Sequence, residues 1–445
     1  MGYKISFTSL GCDKNLIDSE VMLGLINKEG YEIISDETKA DIIIVNTCCF
    51  INDAKEESIE TLLELGQYKE TGNCKVLIAT GCLAERYKDD IFDEMPELDA
   101  IVGTKSYEAI IDVIKETLKG NRVKRFDKVT NKDKKISRFI STPGYFEYLK
   151  IAEGCDNRCT YCIIPSIRGE YISRPMDEIL DEARFLVSKG VKELILVAQD
   201  VTRYGIDIYS KKELPALLTQ LCKIEDLKWI RLMYCYPEEI TEELMDVIAK
   251  EDKVLKYIDM PIQHSNDEIL KKMARKSSEE KIRNVINKLR QKIPEICLRT
   301  TIITGFPGEN ESHYNDLKDF VSDIKFDRLG VFTYSREENT PAASFENQVS
   351  EEIKLQRKDE LMLLQQQISK DNSSRMVGEV LDVLVEGKIT EEDVFCGRTY
   401  KDSPNIDGLV FINTDKELIS GEIVKVEIIN SSEYDLIGVL KNEYC

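Results

Sequence analysis

Residues 153–162 read Glu153-Gly154-Cys155-Asp156-Asn157-Arg158-Cys159-Thr160-Tyr161-Cys162. Three thiols fall at C-x3-C-x2-C spacing directly after residues 146–152, a stretch that reads as a buried strand. With 13 cysteines in 445 residues, chance places about 0.01 such triples in the chain, so the spacing is informative. Three thiolates on one tight loop suit three irons of a 4Fe-4S cube. The fourth iron then keeps an open position, as catalytic metal sites do. A structural zinc would want a fourth Cys or His close by, and the loop offers none.

Outward from this loop, further strands are predicted over 193–198, 229–234, 257–260, 298–304 and 328–334, each followed by a helical stretch or a loop. Six such units predict a partial (β/α) barrel over 141–372, with its chemistry at the C-terminal strand ends. Upstream, residues 1–118 alternate strands (4–9, 40–46, 75–80, 98–102) with helices (18–28, 54–68, 107–119). That alternation predicts a parallel sheet covered by helices. A Leu/Gln-rich helix is predicted over 351–371. Beyond about 376, short Val-rich strands with Gly and Asp turns predict a small antiparallel β-barrel over 373–445. The fold class is α/β throughout the first two units. Residues 119–140 form a basic linker or crossing strand; 119–138 hold nine basic and two acidic residues. A solvated segment and a local phosphate or substrate contact both fit that composition.

Composition narrows the function. Hydrophobic residues at 42% and aromatics at 8% suffice for real cores. A formal charge of −21 makes a poor generic binder of nucleic acid and a good attractor of a basic protein. The two histidines, His264 and His313, nearly exclude His-based zinc sites, facial-triad iron and a Ser-His-Asp triad. Lys4, Asp13, Lys14, Asp18 and Glu20 interrupt any apolar signal core. No apolar run is long enough to span a membrane. The expectation is a cytoplasmic protein with reduced cysteines, which makes clustered thiols metal or redox candidates.

A second set of thiols lies upstream. Cys12 sits in Leu10-Gly11-Cys12-Asp13-Lys14-Asn15, Cys48 in Asn46-Thr47-Cys48-Cys49-Phe50, and Cys82 in Thr80-Gly81-Cys82-Leu83-Ala84-Glu85. Each follows a predicted parallel strand, and such strand ends converge on one crevice. A second three-cysteine iron–sulfur site and three buried structural thiols are both compatible with the spacing. Cys49 and Cys74 do not fit the pattern. Cys222, Cys235, Cys297, Cys396 and Cys445 are scattered and read as inert.

The Cys155 loop at the start of a barrel resembles the radical S-adenosylmethionine (SAM) superfamily. With Cys12, Cys48 and Cys82 upstream and a tail similar to a TRAM domain, nearly the whole chain resembles the methylthiotransferase family. The resemblance implies two 4Fe-4S clusters as cofactors, with SAM. Cys12, Cys48 and Cys82 would hold the auxiliary cluster, and Cys155, Cys159 and Cys162 the radical SAM cluster, all six catalytic. Two SAM molecules are implied per turnover, one methylating sulfur at the auxiliary cluster and one yielding a 5′-deoxyadenosyl radical. An external electron donor is implied as well. The segment Thr304-Gly305-Phe306-Pro307-Gly308-Glu309 would lie against the adenosyl group, so Gly305, Gly308 and Glu309 are cofactor-binding candidates; without the family it reads as a turn. Gln199 and Gln263 end barrel strands and join them. Arg299, and with it Arg231, is a candidate partner for the SAM carboxylate. His264 fits a proton carrier or a hydrogen-bonded structural residue, and Tyr145 or Phe146 is expected near the cluster loop.

Two branches of the family differ in substrate. The MiaB-like branch modifies isopentenylated adenosine in tRNA. The RimO-like branch modifies the β-carbon of an aspartate in the basic ribosomal protein S-twelve. Ser9 to Glu20, Ile163 to Gly169, Tyr236 to Ile240, Tyr334 to Ala343, and Gly397 to Tyr400 with Asp407-Gly408 resemble the second branch. Asp13, where proline is usual, and Asn310, where Thr is common, depart from it. Residues 371–445 carry sixteen acidic and seven basic residues. An acidic module suits a basic protein partner by complementary steering, whereas a tRNA-binding face should be basic. The N-terminal unit is expected to lean over the barrel mouth, because radical chemistry needs a pocket shielded from water.

Overall fold

A computed structural model describes residues 2–127, 138–389 and 393–441. Lys128, Lys132, Lys134, Lys135 and Cys445 lie outside the described residues. The apolar runs of the first unit become β1 (Lys4–Ser9), β2 (Glu32–Ile33), β3 (Ile42–Thr47), β4 (Val76–Gly81), β5 (Ala100–Val102) and β6 (Val123–Arg125). They form one parallel sheet in the order β2-β1-β3-β4-β5-β6. β3 and β4 are buried along their whole length, because both faces of a parallel sheet are covered. Ile43, Val45, Leu77 and Ala79 pack into one layer, and Ile42, Ile44, Val76 and Ile78 into the other. The order reverses between β1 and β3, the topological switch point at which a crevice opens beyond the carboxyl strand ends.

Part of the segment read as a basic linker is strand β6 at the sheet edge. Its cations are engaged within the protein. Arg122 donates to the carbonyls of Phe92 and Leu98, Lys124 pairs with Asp89, and Arg125 pairs with Glu116 at 3.1 Å. Among the described residues, 119–125 therefore offer no such free cation at these three positions for a phosphate. The helix Asp13–Lys28 starts five residues before the predicted start, because Lys14, Asn15 and Asp18 are buried against the rest of the molecule.

The central unit contains β7 (Phe146–Lys150), β8 (Ala152–Glu153), β9 (Ile172–Ser173), β10 (Glu193–Val197), β11 (Trp229–Leu232), β12 (Val254–Asp259), β13 (Cys297–Thr304) and β14 (Arg328–Thr333). Six of these make an open parallel sheet, β14-β13-β12-β11-β10-β7; β8 and β9 pair separately and antiparallel. Side chains alternate across the sheet. Leu194 and Leu196 pack outward beneath the surrounding helices, whereas Ile195 and Val197 join Tyr148, Trp229, Met233 and Tyr257 on the inner face. That inner cluster is completed from both flanking units, by Ile17 and by Leu384.

The helix Glu351–Ser374 runs back along β14. It leads into β15 (Val380–Lys388), β16 (Val394–Arg398), β17 (Val410–Asn413), β18 (Ile423–Ser431) and β19 (Leu436–Leu440). These close into a barrel, β15-β16-β17-β19-β18. The expected antiparallel pairing holds except for β17 and β19, which are parallel. β18 closes against β15, leaving β19 to fill the gap beside β17 in the same direction. Loop 399–407 docks at the starts of β13 and β14, where Cys297 Sγ donates to the Lys401 carbonyl and Arg328 donates to Asp402, and on the middle of β11 and β12. Arg398 Nη2 and Arg231 Nε both donate to Glu193, Arg231 Nη1 donates to the Tyr400 carbonyl, and the Tyr257 hydroxyl donates to Asp407. Among the described residues no helix is long and apolar enough to cross a membrane.

One buried guanidinium among those joining the N-terminal unit to the central one gathers three carboxylates. Arg138 donates to Glu20 at 2.7 Å, to Glu182 at 2.8 Å and to Glu147 at 2.6 Å. These carboxylates come from the helix Asp13–Lys28, the helix Met176–Ser188 and β7. Burial pushes Glu147 up to about 7 despite Arg138, with Glu20 adding to the rise. Arg138→Ala should therefore destabilise the protein by about 3–5 kcal/mol in urea unfolding, because carboxylates are left buried without their shared cation. The raised Glu147 contributes stability that is full below the ordinary carboxylate range and is lost as pH rises through about 7. Glu147→Gln should flatten the fall in Tm that the parent chain shows between roughly pH 5 and pH 7.

Candidate active site

The upstream thiols occupy the crevice at the switch point. Cys12 follows β1 and is the N-cap of the helix Asp13–Lys28, and Cys48 follows β3. Cys82 is the first residue of the helix Cys82–Glu94, directly after β4. Two of the three thus sit at helix N-termini, where the helix dipole favours a thiolate. Gly11 has φ +87°, and a Cβ on it would lie 2.7 Å from Cys48 Cβ and 2.8 Å from Cys48 Sγ. The absence of a side chain lets the Cys12 and Cys48 loops touch. Ser58 accepts from the Cys48 amide and donates to its carbonyl, both at 2.9 Å, which fixes the turn.

Asn15 binds all three loops together. Its Nδ2 donates to the Leu10 carbonyl at 3.0 Å and the Thr47 carbonyl at 2.9 Å, and its Oδ1 lies 3.5 Å from Cys82 Sγ. Burial pushes the Cys48 thiol up and the Cys82 thiol up to about 12. Buried thiols of this kind stay protonated until a metal displaces the proton. Among the described residues no three Cys, His, Asp or Glu side chains are grouped to hold a single metal ion. A cube makes a different demand, since each thiolate binds its own iron. The donor set fits it: three sulfurs, with the guanidinium of Arg168 donating to Cys82 Sγ at 3.5 Å.

The Cys155 loop spans from β8 to the short helix Ile164–Arg168. Gly154 has φ +80°, and a Cβ there would lie 2.0 Å from the Glu170 carbonyl oxygen, so the loop lies flat on that backbone. The Cys155 amide donates to the Gly169 carbonyl, and the Thr160 amide donates to the Met273 carbonyl. Asn157 donates to Asp200 at 3.3 Å. Burial raises the Cys155 thiol and takes Cys162 up to about 12. Tyr161 meets Phe306 edge-on at 6.5 Å, which ties the loop to the segment after β13.

Residues after β11 bridge the two thiol sets. The Tyr234 hydroxyl donates to Asp13 at 3.2 Å, and Lys14 Nζ lies 3.3 Å from the centre of its ring. Two residues on, burial and the Cys159 thiol beside it raise the Tyr236 hydroxyl well above its usual range. A second route runs through side chains. Arg168 contacts Cys82, and also Glu153 at 3.2 Å; Glu153 accepts from Gln199 at 3.0 Å. The N-terminal unit also grips the loop after β14, where Arg86 and Lys55 reach Glu337 at 2.7 and 3.1 Å. It therefore leans over the barrel mouth.

The expected cofactor contacts divide. Gln199 stands at the mouth, and its buried Oε1 has no hydrogen-bond partner among the described residues. Gln263 lies beyond the end of β12, with its backbone bonded to Thr301 and Ile303. Arg299 lies near the start of β13, pairs with Asp259 at 2.7 Å and faces Asp407 at 3.5 Å. Arg231 is likewise held by Glu193. Glu309 is also engaged within the protein. Its carboxylate turns inward, accepting from the Gly305 amide at 2.9 Å and from Arg357 at 2.7 Å. A Cβ on Gly305 would meet Lys354 Cγ at 2.2 Å, and one on Gly308 would meet Lys272 Nζ at 2.7 Å, so protein packing already accounts for both glycines. His264 is buried 3.4 Å from Glu309 and accepts from the Asn266 amide, a structural placement. Tyr145 abuts Gly421 and Phe146 lies by Arg398, both facing the C-terminal barrel rather than the thiols.

Asn15, Arg168, Tyr234, Tyr236 and Arg275 were not singled out from the sequence. Arg275 stacks 4.1 Å from the Tyr236 ring and pairs with Glu238 Oε2 at 3.9 Å. Only the contiguity of Asn15 and Arg168 with cysteine loops hinted at them. Gly154→Ala should displace the Cys155 loop and destabilise the chain by at least about 1 kcal/mol. Iron content after anaerobic reconstitution should fall with it. Gly144→Ala, at φ +91° with open space around it, should retain its iron.

The matches to known families follow the same layout. Residues 149–321 match the Radical SAM superfamily, residues 377–440 the TRAM domain, and residues 4–103 a group described as Uncharacterized protein family UPF0004. This is a radical SAM enzyme in class. The chain is 56% identical over 436 residues to ribosomal protein uS12 methylthiotransferase RimO of Lachnoclostridium phytofermentans, covering 98% of this chain and 99% of that one. It is 51% identical to the RimO of Clostridioides difficile strain 630, covering 98% of each. The chain belongs to the RimO family. Among solved structures, the radical SAM methyltransferase TsrM from Kitasatospora setae aligns with TM-score 0.58 at 13% identity, over 86% of this chain and 81% of that one. That likeness shows the fold alone.

Proposed function

We propose that this chain attaches a methylthio group to the β-carbon of an aspartate in ribosomal protein uS12. The reading assigns 4Fe-4S clusters to both thiol sets and uses two SAM molecules per turnover. Its main support within the structure is the contact path Cys82–Arg168–Glu153–Gln199, with Tyr234 and Tyr236 alongside. That path brings both thiol sets to one crevice. Near-complete coverage of the RimO relatives supports the substrate.

The clusters and SAM, when bound, supply sulfur, methyl group and hydrogen-abstracting radical. The chain's residues do the rest. Six thiolates hold the clusters. The carboxylate of Glu153 orients Gln199, whose free oxygen is an acceptor for a polar ligand at the barrel mouth. Tyr234 and Tyr236 wall the crevice, and the clasp on Glu337 keeps the N-terminal unit seated, which limits water around a reactive intermediate. An unactivated C–H bond yields no proton to a side-chain base at neutral pH, so acid–base residues alone cannot open it. The acidic C-terminal segment suits a basic protein, and Arg122, Lys124 and Arg125 are engaged internally. An external reductant and a cytoplasmic setting, where thiols stay reduced, complete the reading.

Cys159→Ala should abolish 5′-deoxyadenosine formation. Cys48→Ala should retain SAM cleavage and lose methylthiolation; full retained activity would falsify the division between the two sites. The decisive assay offers reconstituted enzyme SAM, a strong reductant, uS12 and isopentenylated tRNA together, and reads both by mass spectrometry. A methylthio group on a uS12 aspartate alone is expected. Modification of the tRNA alone overturns the substrate.

A further inference from the structure

Arg168 is placed unusually for an ion-pair residue. Its Nη1 donates to Asp18 at 2.7 Å and to Glu153 at 3.2 Å. Lys150 pairs with the same two carboxylates, at 2.5 and 2.7 Å, so two cations face two anions. Its Nη2 faces no carboxylate. It donates instead to Asn15 Oδ1 at 2.5 Å and to Cys82 Sγ at 3.5 Å. The side chain is 2% exposed, so solvent does little to screen its charge. The planar fork is what permits this division, with one arm anchored by carboxylates and the other aimed at sulfur.

Hydrogen bonds and charges next to cluster sulfurs set reduction potentials, because each added electron adds negative charge to the cluster. We propose that Arg168 is a positioning and tuning residue for the auxiliary site: its guanidinium, bonded to the Cys82 sulfur, makes a cluster held by Cys12, Cys48 and Cys82 easier to reduce. This rests on the two-cluster reading above. The same guanidinium touches Glu153 of the other cysteine loop, so the tuning element is anchored to the radical site as well.

The test uses the full chain carrying Cys155→Ala, Cys159→Ala and Cys162→Ala, reconstituted anaerobically so that iron reports the auxiliary site. Reduction is followed by EPR during a redox titration. Adding Arg168→Met should lower the reduction equilibrium constant about tenfold, which is about 59 mV for one electron. Arg168→Lys, which keeps charge without the fork, should fall between. Lys150 still pairs with Asp18 and Glu153 in these variants, which favours folding. The chain with Arg168 intact, grown with 15N-arginine, should show a nitrogen weakly coupled to the reduced cluster. An unchanged midpoint in an iron-loaded Arg168 variant, or no coupled nitrogen with Arg168 present, overturns the inference. A triple variant that binds no iron even with Arg168 present overturns the two-cluster reading instead.

Discussion

An open sheet of six parallel strands has an inner face that it cannot bury by itself. A complete barrel would fill its interior with its own layers of side chains. Here β7 and β14 are unpaired edges of the sheet, and the inner surface needs cover from elsewhere. The N-terminal unit supplies Ile17, and the C-terminal barrel supplies Leu384. Loop 399–407 takes the starts of β13 and β14, which leaves the carboxyl ends to the thiol-bearing crevice. The position of the site follows from which end is plugged.

Charge then fixes what apolar burial leaves loose. Hydrophobic contact is non-directional, so it does not by itself hold a sheet at one angle to a barrel. Buried arginines do so here, each reaching across a boundary between units: Arg138 to Glu20, Arg168 to Asp18, and Arg398 to Glu193. Such pairs add little net stability relative to a packed apolar core. Their value lies in geometry, since a bidentate guanidinium accepts few arrangements. At Arg168 the positioning network and the candidate chemistry share a residue.

The cysteine spacing and apolar strands made much of this legible from sequence. C-x3-C-x2-C sits on one loop, so its meaning is local. β3 and β4 were readable because burial on both faces leaves an uninterrupted apolar run. The partners of Arg299 and Glu309 were not legible, because Asp407 and Arg357 lie far along the chain. Asn15 and Arg168 are likewise polar residues whose role exists only after distant loops meet. The start of the helix Asp13–Lys28 was missed because its buried polar residues satisfy partners from other units.

The shared inner cluster has a consequence for how the chain behaves as a set of modules. Family matches divide it into three pieces, yet the hydrophobic interior of the middle piece is completed by side chains of the other two. Excising either flank exposes Trp229, Tyr257 and their neighbours, and takes Glu20 from Arg138 or Arg398 from Glu193. The pieces are units of inheritance but not of folding. Limited proteolysis between them should release no stable central fragment, and exchange of a flank between homologues should succeed only when its contact residues travel with it.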